Sequence, residues 1–104
     1  MKKNRPVYLI SNTFVTDNAG MMLYAENVRN IVQNYGGVPV SLERNLMVLE
    51  GDAKPILSIV QFPTMQDAKA FYESAEYAPL KQLRMDSTQG GFLALAEAID
   101  LEVY

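Results

Sequence analysis

The sequence contains no cysteine and no histidine. The lack of cysteine excludes disulfide bonds and thiolate nucleophiles, and the lack of histidine excludes His-based general bases and Ser–His–Asp triads. Zinc sites with Cys or His ligands are excluded for the same reason. No spacing of Asp and Glu resembles a calcium loop. We therefore expect no metal ion and no cofactor, and a chain without cysteine fits the cytoplasm, which is the location that we expect.

Long apolar runs and clustered positive charge are also missing. No apolar stretch approaches the roughly 18 residues of a membrane span, and no secretory signal pattern is present. The formal net charge is −3, whereas phosphate binding needs clustered Lys and Arg. We interpret the basic cluster of Lys2, Lys3 and Arg5 as a solubilising terminus. We therefore expect neither a membrane nor a nucleic acid as a partner.

The composition is that of a globular protein. The chain has 104 residues, of which 49% are hydrophobic and 20% are charged, and this predicts a single domain over residues 1–104. A chain of this size buries only about two-thirds of the surface that it exposes when unfolded. An oligomeric interface would therefore add to its stability.

Four apolar segments predict β-strands. Val7–Val15 and Ile56–Phe62 are the clearest. In a further segment, residues 38–42, apolar residues alternate with polar or small ones. The strand pattern resumes at residues 46–50, which predicts one bent strand or two short ones. It is expected to form an antiparallel hairpin with the Ile56–Phe62 strand, through a loop longer than two residues. Gly90-Gly91 is predicted to open the last strand, at residues 92–97.

Apolar residues at helical spacing predict a first helix between residues 21 and 35. Asp17 or Asn18 is its predicted N-cap. Gly36-Gly37 is expected to end it, because glycine readily adopts the left-handed conformation that follows many helices.

A second helix is predicted after the third strand. Thr64 and Asp67 match a capping-box pattern at its start. Pro79 is predicted to break this helix, because proline lacks the backbone N–H and its ring clashes with the preceding turn. The helix is then expected to resume toward Arg84.

The predicted order β-α-β-β-α-β is that of an α+β, ferredoxin-like fold, with two helices on one face of a four-stranded antiparallel sheet. The strands carry apolar side chains on both faces, as Leu9 and Ile10 show on the first strand. Two helices cover only one face, and an uncovered apolar face favours association. We therefore predict a homodimer that packs sheet on sheet, as in a dimeric α/β barrel.

Several short motifs carry a family resemblance, and they occur in order over nearly the whole chain. The strongest is AFYESAEY at residues 70–77, followed by Leu83-Arg84. The others are Tyr8 on the first strand, Tyr35-Gly36-Gly37, Leu49-Glu50-Gly51, and Gln61-Phe62-Pro63-Thr64. In this combination the sequence resembles the DUF1330 family, within the dimeric α/β-barrel superfamily. The resemblance implies a ferredoxin-like fold and a dimer, in a superfamily that includes monooxygenases, isomerases and proteins without known catalysis.

Tyr72, Glu76, Tyr77 and Arg84 form the first candidate site. Tyr72 and Glu76 are four residues apart and are expected to share a helix face. Arg84 either binds a substrate carboxylate or pairs with Glu76. The alternative is structural: Glu76 and Arg84 anchor the broken helix, and the tyrosines pack in the core.

Glu50 and Tyr8 are the other candidates. Glu50 follows an apolar segment, where partial desolvation would raise the pKa of its carboxyl and suit a general base. The alternative for Glu50 is a solvated turn residue. Tyr8 either donates a hydrogen bond to a ligand or packs in the core.

Three hypotheses for function follow. The first is a cofactor-independent enzyme, monooxygenase-like or isomerase-like, that acts on a small organic molecule with Glu50 as the base. The second is a module that binds a small ligand without chemistry, and the third is a purely structural homodimer. An interior cavity of roughly 300 Å³ or more with Glu50 or Arg84 at its wall would favour the first two.

Overall fold

The computed structural model describes residues 5–100, in which a four-stranded antiparallel sheet carries three helices on one face. The strands lie in the order β2-β3-β1-β4, which confirms the predicted α+β, ferredoxin-like topology. The elements in chain order are β1 (Val7–Val15), α1 (Asn18–Asn34), β2 (Val38–Glu43), β3 (Ile56–Phe62), α2 (Met65–Glu73), α3 (Ala78–Ser87) and β4 (Thr88–Glu97).

Both ends of α1 are set by single residues. The backbone of Asp17 is extended, and its side chain accepts a hydrogen bond from the backbone N–H of Gly20 at 3.0 Å. Asp17 is therefore the N-cap, and Asn18 is the first helical residue. At the other end Gly36 has a φ of +81°, the left-handed conformation that ends a helix. The predicted boundaries of this helix are confirmed.

The second predicted helix is two helices, and Pro79 does not separate them. The predicted cap at the start of α2 is confirmed, since Thr64 Oγ1 accepts a hydrogen bond from the N–H of Asp67 at 3.1 Å. The chain leaves the helix at Ser74, whose backbone is extended and whose hydroxyl accepts from the N–H of Tyr77 at 3.2 Å. Pro79 lies in the first turn of α3, where its missing N–H would have no helical partner.

The segment between β2 and β3 differs from the prediction. Residues 44–55 form no strand, so the expected continuation over residues 46–50 is wrong. Its apolar side chains have no neighbouring strand to pack against: Met47 and Leu49 are 83% and 87% exposed. The two strands nevertheless pair as an antiparallel hairpin with a long loop, as predicted.

The glycine pair at residues 90–91 lies inside β4 and does not open it. A Cβ atom at Gly91, which has a φ of +77°, would clash with the backbone carbonyl of Asn12 on β1. The pairing of β1 with β4 shifts register between Asn12 and Phe14. The glycines therefore form a β-bulge in the strand that begins at Thr88.

The helix-covered face of the sheet has two unlike ends. At one end Val7 pairs with Phe62, and both are fully buried among α1, α2 and the α2–α3 turn. We call this the filled end; its buried residues are Val7, Val32, Phe62, Ala68, Phe71 and Tyr77. Four residues further along β1, at the second inward-facing position after Val7, the paired residues are Ser11 and Ser58. We call the part of the face from this serine pair to the bulge the hollow end.

The opposite face of the sheet carries apolar side chains that no helix covers. Ile10 on β1 pairs with Ile59 on β3 and Ala94 on β4. Tyr8 lies on the same face, and Ala94 is exposed there. The predicted apolar character of both sheet faces is confirmed.

Two of the smaller expectations are tested only in part. Lys2 and Lys3 of the predicted basic cluster lie outside the described residues, and Arg5 forms an ion pair with Glu97. In residues 5–100 the helices are too short or too polar to cross a membrane.

Candidate functional site

A cavity of about 690 Å³ lies between helices α1 and α3 and the hollow end of the sheet. Ser11 and Ser58 face the helices from adjacent strands, where the filled end has larger side chains. Two small residues opposite each other leave space that α1 does not fill. Most of the remaining wall is apolar and includes Leu9, Val28, Val60, Phe71 and Leu93. The cavity has the size and the apolar lining that are typical of small-molecule sites.

Three polar side chains are joined at the cavity wall. The hydroxyls of Tyr24 and Tyr77 are 2.8 Å apart, and Arg84 Nε donates a hydrogen bond to the Tyr77 hydroxyl at 3.3 Å. Burial, together with the neighbouring Tyr77, raises the pKa of the Tyr24 phenol well above its ordinary value. This phenol therefore stays protonated at neutral pH and serves as a hydrogen-bonding group.

The charges at the cavity wall are of one sign. Arg84 is half-buried there, and Arg29 lies at an exposed part of the wall. None of the described residues that line the cavity is Asp or Glu. The cavity therefore attracts negative charge, although the chain as a whole has a net charge of −3.

The first predicted cluster is divided between the cavity and the surface. Tyr77 and Arg84 line the cavity, whereas Tyr72 packs on α2 with Lys81 Nζ 3.8 Å from the centre of its ring. Glu76 is exposed in the turn between α2 and α3 and accepts a hydrogen bond from the Tyr35 hydroxyl at 3.3 Å.

Two details predicted for this cluster are therefore wrong. Glu76 lies beyond the end of α2, so it does not share a helix face with Tyr72. Arg84 is bonded to Tyr77, and no ion pair joins it to Glu76 in the part of the chain that the structure describes. The break in the helix is held by the Ser74 hydroxyl instead.

The other two predicted site residues lie outside the cavity wall. Glu50 is exposed in the irregular segment 44–55, so the apolar strand that was expected to desolvate it is absent. Tyr8 lies on the sheet face that the helices leave uncovered, opposite in direction to its neighbour Leu9. A catalytic role for Glu50 and a ligand contact by Tyr8 stay predictions.

The predicted site residues did not include Tyr24, Ser11 or Ser58. Tyr24 follows the helical apolar spacing of α1, so the sequence pattern gives no sign that its hydroxyl forms a hydrogen bond with Tyr77. The two serines could have been identified from the sequence. Each is next to an apolar inward-facing position, Leu9 on β1 and Val60 on β3, and two small polar residues on paired strands indicate a cavity.

Asn12 was also missed, and it fixes the hollow end by hydrogen bonds. It is 4% exposed. Its Nδ2 donates to the carbonyls of Lys54 and Ile56 at 2.9 Å, and its Oδ1 accepts from the N–H of Lys54 at 2.9 Å. One amide therefore holds the entry to β3 against β1 opposite the bulge of β4, beside the cavity.

A family model for a domain of unknown function, DUF1330, matches residues 6–98. The chain belongs to the DUF1330 family. The match confirms the resemblance that the sequence motifs indicated, and it spans every strand and helix of the fold. No curated protein matches this DUF1330 chain.

Solved structures similar to this DUF1330 chain share its fold at low sequence identity. A protein of unknown function from Rhodopseudomonas palustris has a TM-score of 0.79 at 11% identity, with 94% of this chain and 85% of that chain covered. A dimeric protein of unknown function and ferredoxin-like fold from Bacteroides fragilis has a TM-score of 0.53 at 13% identity, with 89% and 96% covered. A candidate antibiotic biosynthesis monooxygenase from Nitrosomonas europaea has a TM-score of 0.55 at 12% identity, with 95% of each chain covered. At these identities the likeness concerns the fold alone.

Proposed function

We propose that this DUF1330 protein is a homodimer that binds a small organic molecule in the cavity between its helices and its sheet. The observation that carries the proposal is the cavity itself: about 690 Å³, mostly apolar, with Arg84 and two joined tyrosines at its wall. Ligand sites commonly combine an apolar wall with a few polar groups that orient the ligand. A purely structural homodimer, the third hypothesis from the sequence, would be expected to have a filled interior.

Binding without acid–base chemistry fits the cavity better than catalysis does. The enzyme hypothesis relies on Glu50 as the base, and Glu50 is exposed and away from the wall. No described residue of the wall is a carboxylate, and the Tyr24 phenol keeps its proton at neutral pH. General base catalysis needs a group that takes up a proton near the operating pH. Cofactor-independent turnover, monooxygenase-like or isomerase-like, is the second candidate only through the sequence resemblance.

The cavity is tested by filling it. We expect Ser58→Leu to abolish saturable binding of 1-naphthamide, a neutral bicyclic probe, in isothermal titration calorimetry. A leucine side chain at this position would occupy the space that the serine leaves open. Ser58→Ala is the matched control, since it removes the hydroxyl but keeps the space, and it should bind as the wild type does. Equal binding by Ser58→Leu and wild type would contradict the cavity as the site.

The homodimer is supported by the uncovered face of the sheet. Tyr8, Ile10 and Ala94 lie there without a covering helix, and an apolar face of this kind usually packs against another sheet. A structure of similar fold from Bacteroides fragilis is described as dimeric. We also propose the cytoplasm as the location, since its reducing conditions suit a chain without cysteine.

A charge on the uncovered face tests the dimer. We expect Ile10→Lys to convert the protein from dimer to monomer in sedimentation velocity at micromolar concentration, because burying an unpaired ammonium group between two sheets costs several kcal/mol. Leu23→Lys is the control: Leu23 is 52% exposed on α1, away from the sheet, and this variant should sediment as the wild type does. A wild-type protein that is monomeric at that concentration would refute the proposed interface.

A further inference from the structure

We infer that the cavity binds an organic carboxylate, with Arg84 as the receptor of the carboxylate group and the apolar wall around the rest of the molecule. The inference rests on the proposed function, because it names the class of ligand for the same cavity. It is drawn from three features of the wall: its charge, the free hydrogen-bonding capacity of Arg84, and the proton count of the two tyrosines.

The positive charge of the cavity wall is not balanced by any acidic residue among the described residues of the wall. Arg84 and Arg29 both contribute to the wall, and none of its described residues is acidic. Arg84 is half-buried, and a guanidinium withdrawn from water is stabilised by a charged hydrogen-bonding partner. In a protein with a net charge of −3, a cavity with two arginines and no carboxylate favours an anion.

The guanidinium of Arg84 has a free edge. Its Nε donates to the Tyr77 hydroxyl at 3.3 Å, which fixes the direction of the planar group. In the described part of the chain, neither terminal nitrogen of Arg84 forms a hydrogen bond or an ion pair. Two parallel N–H donors on a fixed plane match the two oxygens of a carboxylate. A lysine would offer only a point charge in the same place.

The two tyrosines add a third donor. Tyr24 and Tyr77 have one phenolic proton each, and the single bond between their hydroxyls uses one of them. Arg84 Nε is itself a donor to Tyr77, so it takes up neither proton. One phenolic O–H is therefore left for a ligand. Because burial keeps Tyr24 protonated, this donor persists at neutral pH.

The experiment compares 1-naphthoate with 1-naphthamide by isothermal titration calorimetry at pH 7. The two probes share the same ring system, but only naphthoate is an anion at this pH. We expect the wild type to bind naphthoate about 10- to 100-fold more tightly, which corresponds to charge-assisted hydrogen bonds. Arg84→Gln should remove that preference and leave the binding of naphthamide within about threefold of the wild type.

Two further variants separate charge, geometry and folding. Arg44→Gln is the control for net charge, because Arg44 is exposed in the segment 44–55 and away from the wall; it should keep the full preference. Arg84→Lys keeps the charge but loses the planar pair of donors, and it should bind naphthoate about 5- to 10-fold more weakly than the wild type. This variant decides the question if Arg84→Gln fails to fold, as judged by circular dichroism.

The outcomes distinguish this inference from the proposed function. Naphthamide bound as tightly as naphthoate by the wild type would overturn the inference while leaving the cavity as a binding site. A preference for naphthoate that persists in both Arg84 variants would also overturn it. Saturable binding of neither probe would overturn the inference together with the proposed function.

Discussion

The filled end and the hollow end of the sheet lie on the same face, under the same layer of helices, and yet they are stabilised differently. At the filled end Val7 and Phe62 belong to a buried cluster with Phe71 and Tyr77. The centres of the Phe71 and Tyr77 rings are 4.4 Å apart. At the hollow end the corresponding strand positions are Ser11 and Ser58. The smaller inward side chains, four residues further along β1, change a packed core into a cavity.

Hydrogen bonds replace packing at the hollow end. Asn12 makes three bonds to the backbone of residues 54–56, and the Thr88 hydroxyl donates to the carbonyl of Arg84 at 2.8 Å. Such bonds fix positions without filling space, and each contributes about 1 kcal/mol net. Apolar burial contributes most of the stability of a core. Most of the stability therefore comes from the filled end, and the hollow end keeps an open cavity.

The sharpest test of this comparison uses two leucines of β4. Leu95 packs against the filled end, and Leu93, two residues earlier, faces the cavity. We expect Leu95→Ala to lower the free energy of unfolding by about 3 kcal/mol, because the deleted atoms are lost from a packed core. Leu93→Ala should cost only about 1 kcal/mol, since the side chain already adjoins open space.

Urea unfolding at one fixed protein concentration measures both variants, since a dimer's stability depends on concentration. The two substitutions are chemically identical, on one strand and one face, so each serves as the control for the other. Equal losses would mean that the two ends do not differ in packing.

The second test removes the polar tie of the hollow end. We expect Asn12→Ala to lower the free energy of unfolding by about 2 kcal/mol, because the backbone groups of residues 54–56 lose buried partners. Asn27→Ala is the control: Asn27 is exposed, and its Nδ2 donates to the carbonyl of Leu23 at 2.8 Å. Its loss should be below about 0.5 kcal/mol.

Hydrogen exchange locates the effect of Asn12→Ala. Amide exchange should accelerate at Lys54, whose N–H is bonded to Asn12 Oδ1, and should be unchanged at the filled end. Uniform acceleration through the sheet would show that Asn12 supports the whole fold and not the hollow end alone.

The fold was readable because its elements have strong local signals. Residue chemistry within a few positions determines where several elements begin and end. Examples are the bounds of the strands Val7–Val15 and Ile56–Phe62, the helix caps at Asp17 and Thr64, and the end of α1 at Gly36. One error lies where the outcome depends on distant residues. The glycine pair at 90–91 forms a bulge because of its pairing with β1, and a single sequence does not display that pairing.

The site could be predicted from the sequence only in part, because some of its residues are brought together by contacts between distant parts of the chain. Tyr77 and Arg84 were named from a local motif, and both line the cavity. Tyr24 lies 53 residues before Tyr77, and only the packing of α1 against α3 brings their hydroxyls together. Glu50 was chosen because an apolar segment precedes it, but that segment forms no strand.

The smallest expected effect concerns the Tyr24 phenol at high pH. Burial raises its pKa above the ordinary value of 10.0, so the unfolded chain loses this proton at a pH where the folded protein keeps it. The stabilisation of the folded state by the protonated Tyr24 phenol is therefore fully present below pH 10.0, and it is lost as the pH rises above this value. We expect the stability of Tyr24→Phe to fall less steeply than that of the wild type above this pH. Urea midpoints measured across this pH range provide the test.

The control for this titration is Tyr35→Phe, which removes a hydroxyl at the surface, bonded to exposed Glu76. Its curve measures what a surface phenol contributes to the decline at high pH. A curve for Tyr24→Phe that coincides with the Tyr35→Phe curve would mean that water reaches the Tyr24 hydroxyl freely. In that event the cavity would not be a desolvated site, and its phenols and Arg84 would bind an anion only as weakly as surface groups do.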